Sequence, residues 1–339
     1  MTTAHGERAA GTERTLTFAQ ALNEALRLIL AEDDRAFLIG EDVGRHGGTF
    51  QVTRGLLEEF GPERVRDAPI SEAGIVGLAV GAAMTGMRPI VDMMFADFML
   101  VAMDQIVNQA AKMSYMSGGQ FSVPLVLRAA QGTGSSSGAQ HSQVLHGLFA
   151  QVPGLKVVAP TTPFDAKGLL VAAFRDPNPV VVLEHKMGYA RKGPVPDGLY
   201  EIPLGVAEVV RGGSAATIVA ISAMVPVALV AADLLASDHG IESEVIDLRS
   251  VSPLDEETIR RSVSRTHRLV VLDEGPISFG VTAEIVARSA GPGWQGLLSV
   301  PVARIAGANA PVPFARNLED RAVPRVSDVI EAVKAVTSR

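Results

Sequence analysis

An α/β fold made of two doubly wound domains is predicted by three features of this sequence. Short β-branched runs alternate with longer alanine-rich segments, a glycine- and proline-rich stretch interrupts the alternation near the middle, and the 339 residues are about twice the ~150 residues of a common domain. Alternation of this kind builds a parallel sheet covered by helices on both faces.

In the first half, strands are expected at 37–39, 89–91, 125–127, 157–158 and 180–183, where Val, Ile, Leu and Phe run together. Between them, apolar residues at helical spacing predict helices at 17–31, 73–85, 98–116 and 163–175. The third of these is apolar almost all round except for Asp104, Asn108 and Lys112, which share one stripe. Such a stripe is either a solvated face or one that pairs across a subunit interface. From 187 to 203 the chain reads MGYARKGPVPDGLYEIP, and residues 188–204 are expected to link a domain at 15–187 to one at 205–339. The second domain repeats the pattern, with strands at 216–221, 243–248, 269–272 and 300–305 and helices at 225–237, 281–290 and 326–336.

Composition narrows the function. Thirty basic against 37 acidic residues leave a net charge of −7, which argues against a nucleic-acid partner. With 47% hydrophobic and 20% charged residues, the chain can bury large cores but has little polar exterior, so a substantial protein interface is expected. Cysteine is absent, which excludes a disulfide scaffold, a thiolate zinc site and a thiol nucleophile, and points to the cytoplasm. The opening MTTAHGERAAGTERT lacks the apolar core of a signal peptide and carries acidic residues that transit peptides avoid, so residues 1–14 are expected to be a disordered leader. The most hydrophobic windows, 75–87 and 223–236, contain Gly, Pro or Asp and fall short of the ~18 apolar residues of a membrane span.

Few residues are placed for chemistry. The seven histidines include no i, i+4 pair, and neither a P-loop nor a strand followed by GxGxxG is present. The segment GTGSSSG (132–138) follows the strand at 125–127, but it leads into Gln140-His141-Ser142 instead of a Lys-Ser/Thr helix start. It is expected to be a flexible loop that positions His141. Glu72 lies in DAPISEAGIVGLAVGAAMTG, where a strand is expected to end at Ile70, Ser71 to cap, and an apolar helix to begin. A carboxylate there sits where open α/β sheets bind ligands. Glu72 could equally favour the helix N-terminus electrostatically, and His141 could be a loop histidine satisfied by backbone.

Longer strings carry a family resemblance. GEDVGRHGGTFQVTRGL (40–56), FGPERVRDAPISEAGIVGLAVGAAMTGMRPIVDMMFADF (60–98), MDQIVNQAAKMSYMSGGQ (103–120), GAQHSQ (138–143) and PGLKVVAPTTPFDAKGLL (153–170) occur in order. They are followed by EVIDLRSVSPLDEETI (244–259), LVVLDEGPISFG (269–280) and PVPFARNLEDRAVP (311–324). Over roughly residues 15–337 the chain resembles the beta subunit of the decarboxylating, thiamine-diphosphate-dependent component of 2-oxo acid dehydrogenase complexes. The resemblance implies an N-terminal transketolase-like pyrimidine-binding domain and a C-terminal transketolase-type domain. It also implies an alpha subunit that holds the diphosphate and magnesium through a GDG motif, which this sequence lacks. The active site would then form between subunits of an α2β2 heterotetramer, with a lipoyl acyltransferase as the further partner.

Residue by residue, the resemblance places Glu72 on the glutamate that hydrogen-bonds the cofactor's pyrimidine nitrogen and Phe98 on the aromatic that stacks on that ring. It places Met94 in the same pocket and His141 near the reacting carbon. Glu41 and Asp104 match acidic positions that in some relatives line a polar passage between active sites. A potassium site is implied at the backbone of Leu125, Ala173, Asp176 and Asn178. Asp92 stands where many relatives have Glu and Ala68 where Thr is common, departures that bear on substrate choice. Pyruvate is the expected substrate, with acetoin as the alternative. A chain that keeps the fold as a non-catalytic scaffold or specialised acyl-transfer partner is the competing class.

Overall fold

A computed structural model describes residues 14–338, so the expected leader lies outside the described residues apart from Arg14. Arg14 opens a short strand, Arg14–Thr17, that pairs antiparallel with Lys192–Val195 inside the segment expected to link the domains.

The first half forms a seven-stranded sheet in the spatial order Ser250–Ser252, Lys156–Val158, Val180–His185, Val126–Gln131, Arg88–Phe95, Ala36–Gly40, Val65–Asp67. Its strands are parallel except Ser250–Ser252, an antiparallel edge contributed by the second half of the chain. The second sheet has five strands, ordered Ala303–Gly307, Leu269–Pro276, Ala216–Ala220, Ser243–Asp247, Glu208–Arg211, with only the last antiparallel. Central strands such as Val126–Gln131 and Val180–His185 are buried along their whole length. That is the environment that uninterrupted β-branched runs predict.

Strand alternation divides the interior into three cores. Leu38, Ile90, Val126 and Val182 face the helices Phe18–Glu32 and Pro163–Arg175. Ile39, Val91, Leu127 and Val181 point the other way, into a core that also contains Val219, Ile246 and Val271 of the second sheet. Ile218, Val245 and Val270 face the helices Met224–His239 and Val326–Thr337. The two sheets therefore share a continuous apolar interior.

Local chemistry fixes the helix starts. Thr17 and Gln20 exchange hydrogen bonds of 3.1 and 2.8 Å in a capping box, and Thr162 with Asp165 does the same behind Pro163 at the first helical position. Three expectations are corrected. The strand before Glu72 ends at Asp67, leaving Ile70 82% exposed, and Ser71 makes no side-chain cap. The stretch 98–116 is not one α-helix. It breaks into Ala96–Met99, a 3₁₀ turn at Leu100–Ala102, a π-helical segment at Asp104–Ala110, and Met113–Met116. In the widened turn Asn108 Nδ2 donates to Asp104 Oδ1 (2.7 Å), so the polar stripe is bonded to itself on an exposed face. The third correction is the helix Glu256–Thr266, where no helix is expected above. Among the described residues no helix is long and apolar enough to cross a membrane.

Candidate active site

Glu41, Glu72, Met94, Phe98 and His141 lie at the carboxyl-end side of the parallel strands, where open α/β sheets bind ligands, whereas Asp104 lies in the exposed π-helical segment. Glu41 follows Ala36–Gly40, Glu72 opens the helix after Val65–Asp67, Met94 and Phe98 lie at and beyond the end of Arg88–Phe95, and the segment bearing His141 leaves Val126–Gln131.

On the glutamate side, Glu72 is the first residue of the helix Glu72–Met84 and is half-buried. It makes no hydrogen bond or ion pair among the described residues, so its carboxylate is available to a ligand. Glu41 lies close enough to feel it: burial, then the neighbouring charges of Glu72, Asp42 and Asp92, push the Glu41 carboxyl above the ordinary range.

Met94 has φ of +55°, a left-handed conformation that costs a side-chain-bearing residue on the order of 1–3 kcal/mol. Its N–H donates to Asp92 Oδ1 (3.0 Å), and the other Asp92 oxygen pairs with the Arg128 guanidinium. Arg128 in turn donates to Glu184 through Nε (3.0 Å) and Nη2 (2.5 Å), and Tyr189 Oη donates to Glu184 Oε2 (2.6 Å). Asp92, Arg128 and Glu184 are all buried. The network ties the strand end, at the left-handed turn of Met94, to the buried interior.

On the histidine side, the His141 ring meets Phe98 edge-on at a centroid distance of 5.3 Å and Phe95 at 5.2 Å. Phe95 continues the row to Phe50 (5.7 Å), which stacks on Tyr189 (4.3 Å, 18° between planes). The segment 132–138, expected to be a flexible loop that positions His141, belongs to a stretch 132–143 that is hydrogen-bonded at its base and along its length. Its base is closed by Gly132 N–H to the Gln143 carbonyl (3.1 Å), and Asp97 Oδ1 accepts from Gln143 Nε2 (2.9 Å). Gly132 has φ of +95°, and a Cβ there would fall 2.2 Å from His185 Nε2, so only glycine fits. The Lys186 ammonium donates to the His141 carbonyl (2.6 Å) and Ser142 Oγ (3.1 Å), and burial lowers its pKa. Thr133 donates from N–H and Oγ1 to Glu274 Oε1 (2.9 and 2.5 Å). Burial alone would raise Glu274, but His185 at 2.8 Å and Thr133 hold it down at about 2. Beside it, Asp273 pairs with the buried His146 (3.0 Å) and raises its pKa against burial. Phe95, Asp97, Lys186 and Glu274 escaped the sequence reading. The FADF string around Phe98 was the available signal for the first two.

Leu125, Ala173, Asp176 and Asn178 gather at the opposite, amino end of the sheet. The Leu125 carbonyl accepts from Val180 N–H (2.9 Å), and Asp176 Oδ1 accepts from Asn178 N–H (2.9 Å) and Nδ2 (3.0 Å). The Ala173 carbonyl would take its helical hydrogen bond from residue 177, which is a proline without an N–H, so this carbonyl is open to another donor or a cation. A cleft of about 400 Å³ also lies at this end, lined by Arg35, Arg88, Phe174 and Arg175 among others. Arg35 is paired with Asp33, and Arg175 with Glu32 and Glu201, so these charges are satisfied within the chain. Among the described residues no three His, Cys, Asp or Glu side chains converge as a metal site.

Comparison with known proteins accounts for the two sheets. Residues 14–192 match the transketolase pyrimidine-binding domain, and residues 205–329 match the transketolase C-terminal domain. The chain is 47% identical to the mitochondrial pyruvate dehydrogenase E1 component subunit beta-2 of Oryza sativa subsp. japonica, over 96% of this chain and 87% of that protein. It is 45% identical to the acetoin:2,6-dichlorophenolindophenol oxidoreductase subunit beta of Bacillus subtilis, over 94% of this chain and 96% of the relative. A solved structure of a split-gene transketolase, an inactive beta4 tetramer, superposes with a TM-score of 0.78 at 20% identity, covering 95% of this chain and 98% of its own. That likeness shows the fold. With both domains matched and near half of all positions identical across almost the whole chain, the protein belongs to the transketolase-like beta subunits of the thiamine-diphosphate-dependent 2-oxo acid and acetoin dehydrogenases.

Proposed function

We propose that this chain is one half of a 2-oxo acid dehydrogenase active site. It takes the aminopyrimidine end of thiamine diphosphate, while an alpha subunit takes the diphosphate and magnesium, in an α2β2 assembly acting on pyruvate. The observation that carries this reading is the constellation at the strand ends: Glu72 at a helix start, without a partner among the described residues, and His141 edge-on to Phe98 beyond the strained Met94. The lack of a GDG string supports a divided site.

When bound, thiamine diphosphate supplies the electron sink for decarboxylation. Glu72 would hold a proton at the pyrimidine ring nitrogen, with Glu41, whose carboxyl is pushed up by burial and by the charge of Glu72, nearby. Phe98 and Met94 would pack against the pyrimidine and exclude water. His141, with its ring fixed by Phe95 and Phe98, would offer a proton to the substrate oxygen and stabilise charge during acyl transfer to a lipoyl acyltransferase. Joint retention of Glu72, Phe98 and His141 argues against a non-catalytic scaffold. Potassium, if bound, would sit at the backbone carbonyls of Leu125, Ala173, Asp176 and Asn178, where the Ala173 carbonyl lacks its helical donor. The absence of cysteine supports a cytoplasmic setting.

Acetoin is the second reading, favoured by the identity to the Bacillus subtilis subunit. Calorimetric titration of thiamine diphosphate and magnesium into the single chain and into the assembled heterotetramer tests the divided site. Binding is expected only in the assembly, and micromolar binding by the single chain overturns it. Turnover with pyruvate against acetoin in the same assembly decides the substrate.

A further inference from the structure

Glu319 lies in the second half of the chain, on the helix Arg316–Ala322, and is 1% exposed. A buried carboxylate needs donors, and this one takes them from the other half. Oε1 accepts from Gly134 N–H (2.8 Å) and Oε2 from Ser136 N–H (3.0 Å). Both donors sit on left-handed backbone, with φ of +101° at Gly134 and +52° at Ser136. Backbone N–H groups converging in this way form a concave nest that suits an anion, and here a side chain fills it. One turn earlier on the same helix, Arg316 Nη1 donates to the Gly134 carbonyl (2.6 Å), so both faces of that residue are gripped by one helix. Gly134 cannot be replaced freely, because a Cβ would fall 2.8 Å from Met187 Cγ. The gripped residues lie on the outgoing arm of the segment whose base closes at Gly132–Gln143 and whose returning arm presents His141 to Phe95 and Phe98. Glu319 is also near enough to influence Lys186, which holds the His141 carbonyl.

We propose that Glu319 is a positioning residue for His141: by filling the nest of Gly134 and Ser136 it fixes the loop so that the imidazole stands against Phe98. The inference rests on the role given to His141 above. Its consequence is that the second domain sets the geometry of acyl transfer without touching substrate or cofactor. Displacing a reacting group by about 1 Å costs on the order of 10²-fold in rate.

The test uses the assembled heterotetramer carrying Glu319→Ala, Glu319→Gln, His141→Ala or the Glu319→Ala/His141→Ala pair. Three readouts apply: amide hydrogen exchange at residues 133–137, exchange of the cofactor C2 proton, and acylation of a lipoyl domain. Glu319→Ala is expected to lose amide protection at Gly134 and Ser136 and to acylate about 10–100-fold more slowly, with C2-proton exchange within about twofold of the parent. Formate, a small carboxylate able to occupy the emptied nest, should restore part of the protection and of the rate, whereas formamide should not. Glu319→Gln should fall between, since its amide offers one acceptor to two donors. The double variant should acylate no more slowly than His141→Ala alone. Unchanged acylation in Glu319→Ala, while His141→Ala is slow, overturns the positioning role and leaves His141 standing. Unchanged acylation in His141→Ala overturns the reading of His141 itself. A parallel fall of both rates and of Tm, without a formate response, reduces Glu319 to a merely structural group and overturns the proposal.

Discussion

The two sides of the candidate site are built differently. On the glutamate side, Glu41, Glu72, Met94 and the Asp92–Arg128–Glu184 network all come from the first sheet and its connections. On the histidine side, the loop bearing His141 is held by Glu274 and Glu319, which the second half of the chain supplies. The contrast has a mechanical meaning. On the roles proposed for Glu72 and His141, proton handling at the cofactor edge would depend on one sheet, whereas placing the group that meets substrate would depend on how the two halves pack. Disturbing that packing should therefore slow acyl transfer before it disturbs cofactor ionisation.

The sharpest way to break the contrast is a crossed pair of substitutions in the assembled enzyme. Glu72→Gln keeps the side chain's shape but not its shared proton, so C2-proton exchange should fall by about 10²–10⁴-fold, the scale of general acid–base steps. His141→Ala should leave that exchange near the parent value while lipoyl acylation falls by a comparable factor. Nuclear magnetic resonance of the cofactor proton and mass spectrometry of the lipoyl domain read both on one sample. If each substitution slows both steps equally, the two sides act as one unit and the contrast is lost.

Arg128→Met probes the glutamate side from beneath. It leaves the Asp92 and Glu184 carboxylates buried without their cation, which costs about 3–5 kcal/mol. It also releases the oxygen that orients Asp92 toward the Met94 N–H. Denaturant unfolding should show the loss, and C2-proton exchange should slow more than acylation of the already ionised cofactor. A stability change under 1 kcal/mol would mean that the network is not buried as described.

What the sequence disclosed follows from range. Strand runs such as 180–183 and the capped helices at 18 and 163 are local signals, and the structure places them within a few residues of their expected bounds. Glu256–Thr266 is harder to see because three of its five buried residues carry hydroxyls, Thr217 Oγ1 bonding Ser262 Oγ (2.6 Å) and Thr266 Oγ1 (2.7 Å), which leaves only Ile259 and Val263 as its apolar stripe. The π-helical segment at Asp104–Ala110 left no trace in a stretch apolar on nearly every face. Glu72, Phe98 and His141 stood out through the strings around them. Glu274 and Glu319 did not, because their partners Thr133 and Gly134 lie 141 and 185 residues away in sequence and meet them only in the folded chain.

The smallest expected effect concerns a second contact between the halves, on the far flank of the edge strand Ser250–Ser252. Asp247 ends the strand Ser243–Asp247 and is 1% exposed. Burial, reinforced by the nearby Asp165 carboxylate, pushes Asp247 up to about 8, although Thr161 and Arg249 pull the other way. Arg249 serves Asp165 at 2.7 Å and also pairs with Glu208, so its charge is divided. The folded value lies above the roughly 3.9 of an unfolded aspartate, so the folded state holds the proton more tightly between those limits. The stability this contributes is complete below the unfolded value and declines as pH rises toward 8. Asp247→Asn keeps an oxygen for the Arg249 N–H (3.1 Å) and fixes the neutral form at every pH. The variant should therefore gain on the parent steadily as pH rises from about 4 to about 8 and no further above it, the difference growing by at least about 1 kcal/mol between pH 5 and pH 9. Denaturant unfolding of both proteins across pH 5–9 checks the difference, which cancels the other titrating groups. If this contact steadies the halves without gripping the His141 loop, C2-proton exchange and acylation should both stay unchanged in the variant at pH 7. A stability difference that does not widen with pH would show that Asp247 is ionised in the folded chain, and a change in acylation would show that the histidine side draws on both contacts between the halves.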